Sequence, residues 1–154
     1  MAGFRLGSKT KVDIEVNDKG ETIRLDLGDP TFIARTQDMM REVKALEKKY
    51  KGIDDFLLKD DISEEDLLSD EGYNFGKSMK QYYKESRGVV DTFLGKGSCE
   101  KIFGDENYYV MFDDLFEQLQ PYLNTAGEKF EKYISKTRKK YIVDKPNEPQ
   151  KKVI

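Results

Sequence analysis

The chain has 154 residues, enough for one domain that buries about two-thirds of its unfolded surface. Charged residues make up 37% of it and the mean hydropathy is −0.77, yet nine Phe and nine Tyr bring large apolar areas, which excludes full disorder. A net charge of −3 and a pI near 5.2 point away from nucleic acid, whose binding domains carry a basic footprint.

From Lys11 the sequence alternates, with Val12, Ile14 and Val16 on one face and Asp13 and Glu15 on the other. Period two with β-branched residues predicts a half-buried strand. Asn17-Asp18-Lys19-Gly20 supplies turn formers, and the alternation resumes with Ile23, Leu25 and Leu27, so a β-hairpin is expected over about 11–27. An isolated hairpin is marginal in water, so its apolar face must lie on helices or pair with further strands.

Asp29-Pro30 opens a first helix over about 30–51, Asp29 as cap and Pro30 in the first turn. Phe32, Met39, Val43, Leu46 and Tyr50 form one stripe along it, Lys48, Lys49 and Lys51 suit its C-terminal dipole, and Gly52 is its expected stop. The next stretch is acidic, from Asp54 to Glu71 with Lys59 as its one cation. Phe56, Leu57 and Ile62 are expected to pin it to the core. Ser63, with Asp66 three residues on, has the form of a capped helix start, and Leu67 and Leu68 would begin the buried side.

A second long helix is then expected over about Asp70 to Leu94, the helical span as a whole being about 64–94, with Phe75, Met79, Tyr82, Tyr83, Val89, Val90 and Phe93 inward. Gly72, Gly76 and Gly88 each cost such a helix about 1 kcal/mol relative to alanine, and mark close packing or a break. Gly95-Lys96-Gly97 is a turn, Ser98 caps a short helix over about 98–103, and Asp105 caps a last one over about 106–141. Tyr108, Phe112, Leu115, Leu119, Tyr122, Ala126, Phe130 and Tyr133 keep one helical phase across Pro121, so a kink or short break with both halves on one core is expected there. After about Tyr141 the pattern stops, and 143–154 reads as a flexible basic tail. The expected fold is therefore α+β and mostly helical: an N-terminal hairpin packed on a bundle of about four helices, in a single domain over about 1–142.

Several chemistries lack their residues. The chain has no histidine, which removes the commonest general base and metal ligand. Its one cysteine, Cys99, excludes an internal disulfide and fits a reducing compartment. A thiol at a helix N-terminus can be activated, but a lone cysteine is more often a small buried residue. Gly95-Lys96-Gly97-Ser98 fails as a phosphate loop, because Val90 stands where the first glycine belongs and the preceding segment is helical. Asp60-Asp61 and Asp113-Asp114 are carboxylate pairs of the kind chance provides in so acidic a chain, and the acidic stretch lacks the spacing of a calcium loop. No catalytic residue, no metal site and no cofactor is expected. Nor does any run approach a signal peptide or a membrane span.

Binding is left to surfaces. Tyr108-Tyr109-Val110-Met111-Phe112 is apolar on every helical face, which reads first as a buried helix start and otherwise as one side, Tyr109 with Phe116, turned to a partner. Met39-Met40 spans two faces, so Met40 must leave the stripe, and Met accommodates varied partners. Met40, Tyr109, Phe116 and Tyr122 are the candidate partner-binding residues. The acidic run and the basic last third, through Lys129, Lys132, Lys136, Arg138, Lys139, Lys140, Lys151 and Lys152, read first as solvated surfaces, and otherwise as complementary within the chain or between copies forming a homo-oligomer.

Three stretches together resemble small tail-assembly proteins of tailed phages and prophages of Gram-positive bacteria. They are Ile23-Arg24-Leu25-Asp26-Leu27-Gly28-Asp29-Pro30, Gly97-Ser98-Cys99-Glu100-Lys101-Ile102-Phe103-Gly104-Asp105, and Phe112-Asp113-Asp114-Leu115-Phe116-Glu117-Gln118-Leu119-Gln120-Pro121-Tyr122. The likeness spans about residues 10–140, with the Cys-Glu-Lys-Ile-Phe-Gly-Asp stretch its most distinctive part, and leaves out the acidic region. It implies a tail-assembly chaperone in the bacterial host cytoplasm, holding the long helical tape-measure protein, or another tail protein, soluble without catalysis or cofactor. The rival expectation is a small regulatory adaptor, of phage or bacterium, that binds a host protein. Nucleic-acid binding through the basic C-terminal helix, and an enzyme working with carboxylates and lysines, rank below both. Because the pattern ends there, truncation after Tyr141 should leave the thermal melt and the helical circular dichroism unchanged.

Overall fold

The computed structural model describes residues 3–4, 10–50 and 60–141. Strands β1 (Lys11–Glu15) and β2 (Thr22–Asp26) pair antiparallel, with Val12 opposite Leu25 and Ile14 opposite Ile23. This register puts the expected apolar face together. Ile23, Leu25 and Leu27 are buried, while Val12, Ile14 and Val16 are half-buried against the same core. Asn17 builds the turn, its side-chain oxygen accepting from the amides of Lys19 at 3.0 Å and Glu21 at 3.2 Å. Gly20 closes it at φ 77°, a conformation that favours glycine.

Among the described residues five helices follow: α1 (Phe32–Lys49), α2 (Glu64–Leu68), α3 (Asp70–Leu94), α4 (Ser98–Phe103) and α5 (Met111–Tyr141). The fold is thus the expected mostly helical α+β, with the hairpin packed on helices. Several boundaries differ. Helix α1 starts at Phe32 rather than Pro30, because Asp29 organises a turn first: its carboxylate accepts from both the amide and the hydroxyl of Thr31 at 2.8 Å. Those bonds hold the Asp29 carboxyl below the usual carboxylate range. The stripe is confirmed at Phe32, Met39 and Val43, which are buried, with Leu46 and Tyr50 half-buried. Thr36 completes it by bonding its hydroxyl to the Phe32 carbonyl at 2.8 Å.

The long helix α3 has the expected bounds, Asp70–Leu94, but the span 64–94 is two helices and not one. Ser63 and Asp66 form the expected capping box, but Ser69 ends α2 and caps α3 at once. Its hydroxyl accepts from the Gly72 amide at 3.1 Å and donates to the Asp66 carbonyl at 2.5 Å. A side chain at Gly72 would strike the Asp66 and Leu67 carbonyls, so this glycine marks close packing; Gly76 and Gly88 face open space. Leu67, Leu68 and Ile62 are exposed, not buried as expected, because so short a helix turns little of its surface inward. Phe56, Leu57 and Gly52, and the tail after Tyr141, lie outside the described residues.

Helix α4 has the expected bounds but not the expected cap. Ser98 is its first residue, Gly97 at φ 82° precedes it, and Asp91 on α3 accepts from the Cys99 amide at 2.8 Å. Helix α5 begins at Met111 instead of 106, since Asp105 does not cap it. It runs unbroken through Pro121, and both Pro121 and Glu117, whose carbonyl loses its donor, are exposed residues. Phe112, Leu115, Leu119 and Ala126 are buried as expected. Tyr108 precedes the helix and is 41% exposed, and Phe130 and Tyr133 are 44% and 58% exposed, because α5 outruns the body.

The core gathers about Phe112. Tyr82, Tyr83 and Phe103 each place a ring centroid 6.1 Å from its own, joining α3, α4 and α5. Helix α1 packs along α3 and α5, and the hairpin closes the remaining side. Phe112 is 2% exposed, so Phe112→Ala should cost about 3–5 kcal/mol in a denaturant titration; a loss below about 1 kcal/mol would show that the ring is not part of the core.

Candidate functional site

One wall of a groove is formed by the segment between α4 and α5. Arg87 on α3 reaches across to it. Its Nε donates to the Asn107 side chain at 2.8 Å, one terminal nitrogen to the Gly104 carbonyl at 3.0 Å and the other to the Glu106 carbonyl at 2.6 Å. The same guanidinium lies 5.9 Å from the Phe103 ring centroid. The Tyr83 hydroxyl donates to the Tyr108 carbonyl at 3.1 Å. One planar cation and one buried phenol thus fix a loop that has no regular structure of its own.

Between this loop, the hairpin and α5 lies a groove of about 380 Å³. Its apolar floor comes from Ile14, Val16 and Ile23 on the hairpin side, Ile102 and Phe103 on α4, and Leu115 and Leu119 on α5. Glu15, Glu106, Asp114, Gln118, Tyr108 and Tyr122 complete the lining. Every charged residue in the lining is acidic. Burial raises the Tyr108 phenol above its ordinary range, and the hydrogen-bonded Asp114 carboxylate raises it further, so the ring keeps its proton. The hairpin is tied to α4 beside the groove, where the Asn17 side chain donates to the Lys101 carbonyl at 3.0 Å and the Lys101 ammonium to the Thr22 carbonyl at 3.3 Å.

An apolar floor with a polar, acidic margin can take the apolar face of a peptide or helix. Of the four candidates from the sequence, Tyr122 lines this groove. Tyr109 is 69% exposed on the loop beside it, Met40 is half-buried on α1, and Phe116 is buried at 8% exposure. Tyr109 and Phe116 therefore share no exposed face, and the segment Tyr108 to Val110 is exposed instead of a buried helix start. The sequence does not mark the hairpin residues or Glu15 and Glu106 as site residues, and it offers Asp114 only in a carboxylate pair expected by chance. The hairpin's one sequence signal is alternation, which marks a half-buried face without saying whether protein or solvent covers it.

Cys99 is 2% exposed, and its thiol is pushed up to about 12 by burial, with the nearby Asp91 carboxylate adding to the effect. The sulfur sits 3.5 Å from the Arg87 carbonyl. Among the described residues, no group of three His, Cys, Asp or Glu side chains is placed to hold a metal ion, and no helix is long and apolar enough to cross a membrane. The raised Cys99 pKa means that the folded state keeps a proton the unfolded state gives up. Its contribution to stability is complete below about pH 9 and is lost as pH rises toward 12. Iodoacetamide at pH 9 should accordingly leave the native thiol unmodified and label it in denaturant, read by intact mass; rapid native labelling would place the thiol in reach of solvent.

Residues 19–153 match the model of a family described as a family of unknown function, DUF6673, and the chain belongs to that family. No curated protein and no solved structure matches it.

Proposed function

We propose that this DUF6673 protein is a non-enzymatic protein-binding factor of phage tail assembly, a chaperone that holds an apolar helical segment of the tape-measure protein in the bacterial host cytoplasm. The observation that carries the reading is the groove: an apolar floor of hairpin, α4 and α5 residues, bordered by Glu15, Glu106 and Asp114. A tape-measure helix that has not yet met tail-tube subunits exposes apolar faces. A groove of this kind covers such a face without enclosing it, which suits a client that must later be released. The client's identity comes from the resemblance of three stretches, each of which supplies groove residues: Ile23 in the first, Ile102 and Phe103 in the second, and Asp114, Leu115, Gln118, Leu119 and Tyr122 in the third.

The test is co-expression with a phage tape-measure protein. Wild type should keep that protein in the soluble fraction and co-purify with it. The variant Glu15→Lys/Glu106→Lys, folded by circular dichroism, should change recovery of the client, because it reverses two of the three charges at the margin. Recovery of a host enzyme or regulator with no tape-measure protein would overturn the chaperone reading in favour of an adaptor. Identical recovery by the variant would move the contact off the groove.

A further inference from the structure

Two surfaces outside the groove combine exposed apolar side chains with a net charge, one basic and one acidic, and they lie at opposite ends of the bundle. The first is the end of α5. From Gly127 to Lys140 no residue is buried, Phe130 and Tyr133 are exposed, and Lys129, Lys132, Lys136, Arg138 and Lys139 outnumber Glu128 and Glu131 around them. Phe130 and Tyr133 border a notch of about 400 Å³ whose other wall includes Leu27, Pro30 and Ile33. The second is α2 with the start of α3. Ile62, Leu67, Leu68 and Tyr73 are exposed there, at 42%, 54%, 78% and 68%. Around them are Asp60, Asp61, Glu64, Glu65 and Asp70, with no lysine or arginine between residues 60 and 76.

Contacts along α1 fix where these surfaces sit. Glu47 accepts from the Tyr82 hydroxyl at 3.3 Å, while Arg35 donates to the Phe93 carbonyl at 3.3 Å, so α3 runs antiparallel to α1. Lys44 pairs with Asp113 at 2.8 Å, and Ile33 shares the notch with Phe130, so α5 is antiparallel to α1 as well. Counting at 1.5 Å per residue, α3 extends roughly 18 Å past the C-terminal end of α1, from Tyr82 back to Asp70. Helix α5 extends roughly 16 Å past the other end, from Phe130 to Tyr141. The basic arm and the acidic overhang of one molecule point away from each other.

We propose that the basic, aromatic arm of α5 docks on the acidic, apolar overhang of α2 and α3 of a second copy of this chain, head to tail. Charge complementarity names the occupant, and the exposed leucines have a seat in the notch beside Phe130 and Tyr133. Monomers rarely leave contiguous apolar patches exposed. Contact between two different surfaces repeats from copy to copy, giving a ring or an open chain according to the rotation between neighbours. This inference does not depend on the proposed client, since it concerns the purified protein alone.

The test is sedimentation velocity of the full chain over a range of concentrations, at low and high salt. Wild type should assemble at low salt and dissociate as salt screens the contact. The arm variant Lys129→Glu/Lys132→Glu/Lys136→Glu and the overhang variant Asp60→Lys/Asp61→Lys/Glu65→Lys should each associate at least about tenfold more weakly, with unchanged circular dichroism. Mixed together they should assemble again, since each then meets a surface of opposite sign. Wild type that stays monomeric throughout, single variants that assemble like wild type, or folded variants that fail to assemble when mixed would each overturn the proposal.

Discussion

The ring of Phe112 is the constraint on which the rest of the structure depends. It is the second residue of α5, and it meets Tyr82 and Tyr83 of α3 and Phe103 of α4. Tyr82 and Tyr83 also meet each other edge-on, with centroids 5.0 Å apart. A ring held on several sides fixes both the axial position and the rotation of the helix that carries it. That rotation decides which residues of α5 face the hairpin. Leu115 and Leu119 follow Phe112 at steps of three and four, so they fall on the same side and become the groove floor. Desolvation raises the phenols of Tyr82 and Tyr83 out of their ordinary range, and Tyr83 uses its retained proton to hold the Tyr108 carbonyl. Core packing and groove shape are therefore set by the same few rings.

Periodicity made the hairpin, the stripe of α1 and the middle of α5 legible, because each is a local pattern whose buried face has a partner in the fold. It failed where an amphipathic pattern outlasts its partner. Phe130 and Tyr133 keep the phase of Phe112 and Leu119, but the length of covering structure is a property of the whole chain, which no local window contains. Leu67 and Leu68 failed for the complementary reason: Ser69 interrupts the helix after five residues. The cost of one broken turn is offset by a serine hydroxyl that serves both helix ends. Tyr108 to Val110 looked buried because every residue is apolar, whereas groups distant in sequence fix the loop: Arg87 holds Gly104, Glu106 and Asn107 just before it, and the Tyr83 hydroxyl holds the Tyr108 carbonyl.

The groove was illegible for a different reason. A strand residue half-covered by its own protein and one waiting for a partner have the same alternation. Ile14 and Val16 were correctly placed on the inner face, yet only the position of α5 shows that the face is left partly open. Acidic residues at the margin are lost among the 30 aspartates and glutamates of the chain. Tyr122 was singled out as an aromatic on the stripe, and its place at the groove follows from being half-buried where the hairpin ends.

Helix α5 joins the two kinds of surface. Its first half supplies the groove floor and its second half the basic arm, and Pro121 lies between them without ending the helix. Proline forfeits one backbone hydrogen bond and crowds the carbonyl four residues back, a cost near 3 kcal/mol in a covered helix. Here both Pro121 and Glu117 are exposed, so water can serve the carbonyl that lost its donor, and the helix carries on. The Thr125 hydroxyl also donates to the Pro121 carbonyl at 3.1 Å, adding a local bond on the far side of the proline. A continuous helix transmits orientation, whereas a break would free the arm. The arm consequently holds a set direction relative to the groove, and any molecule seated on it is placed at a fixed distance and angle from whatever the groove holds.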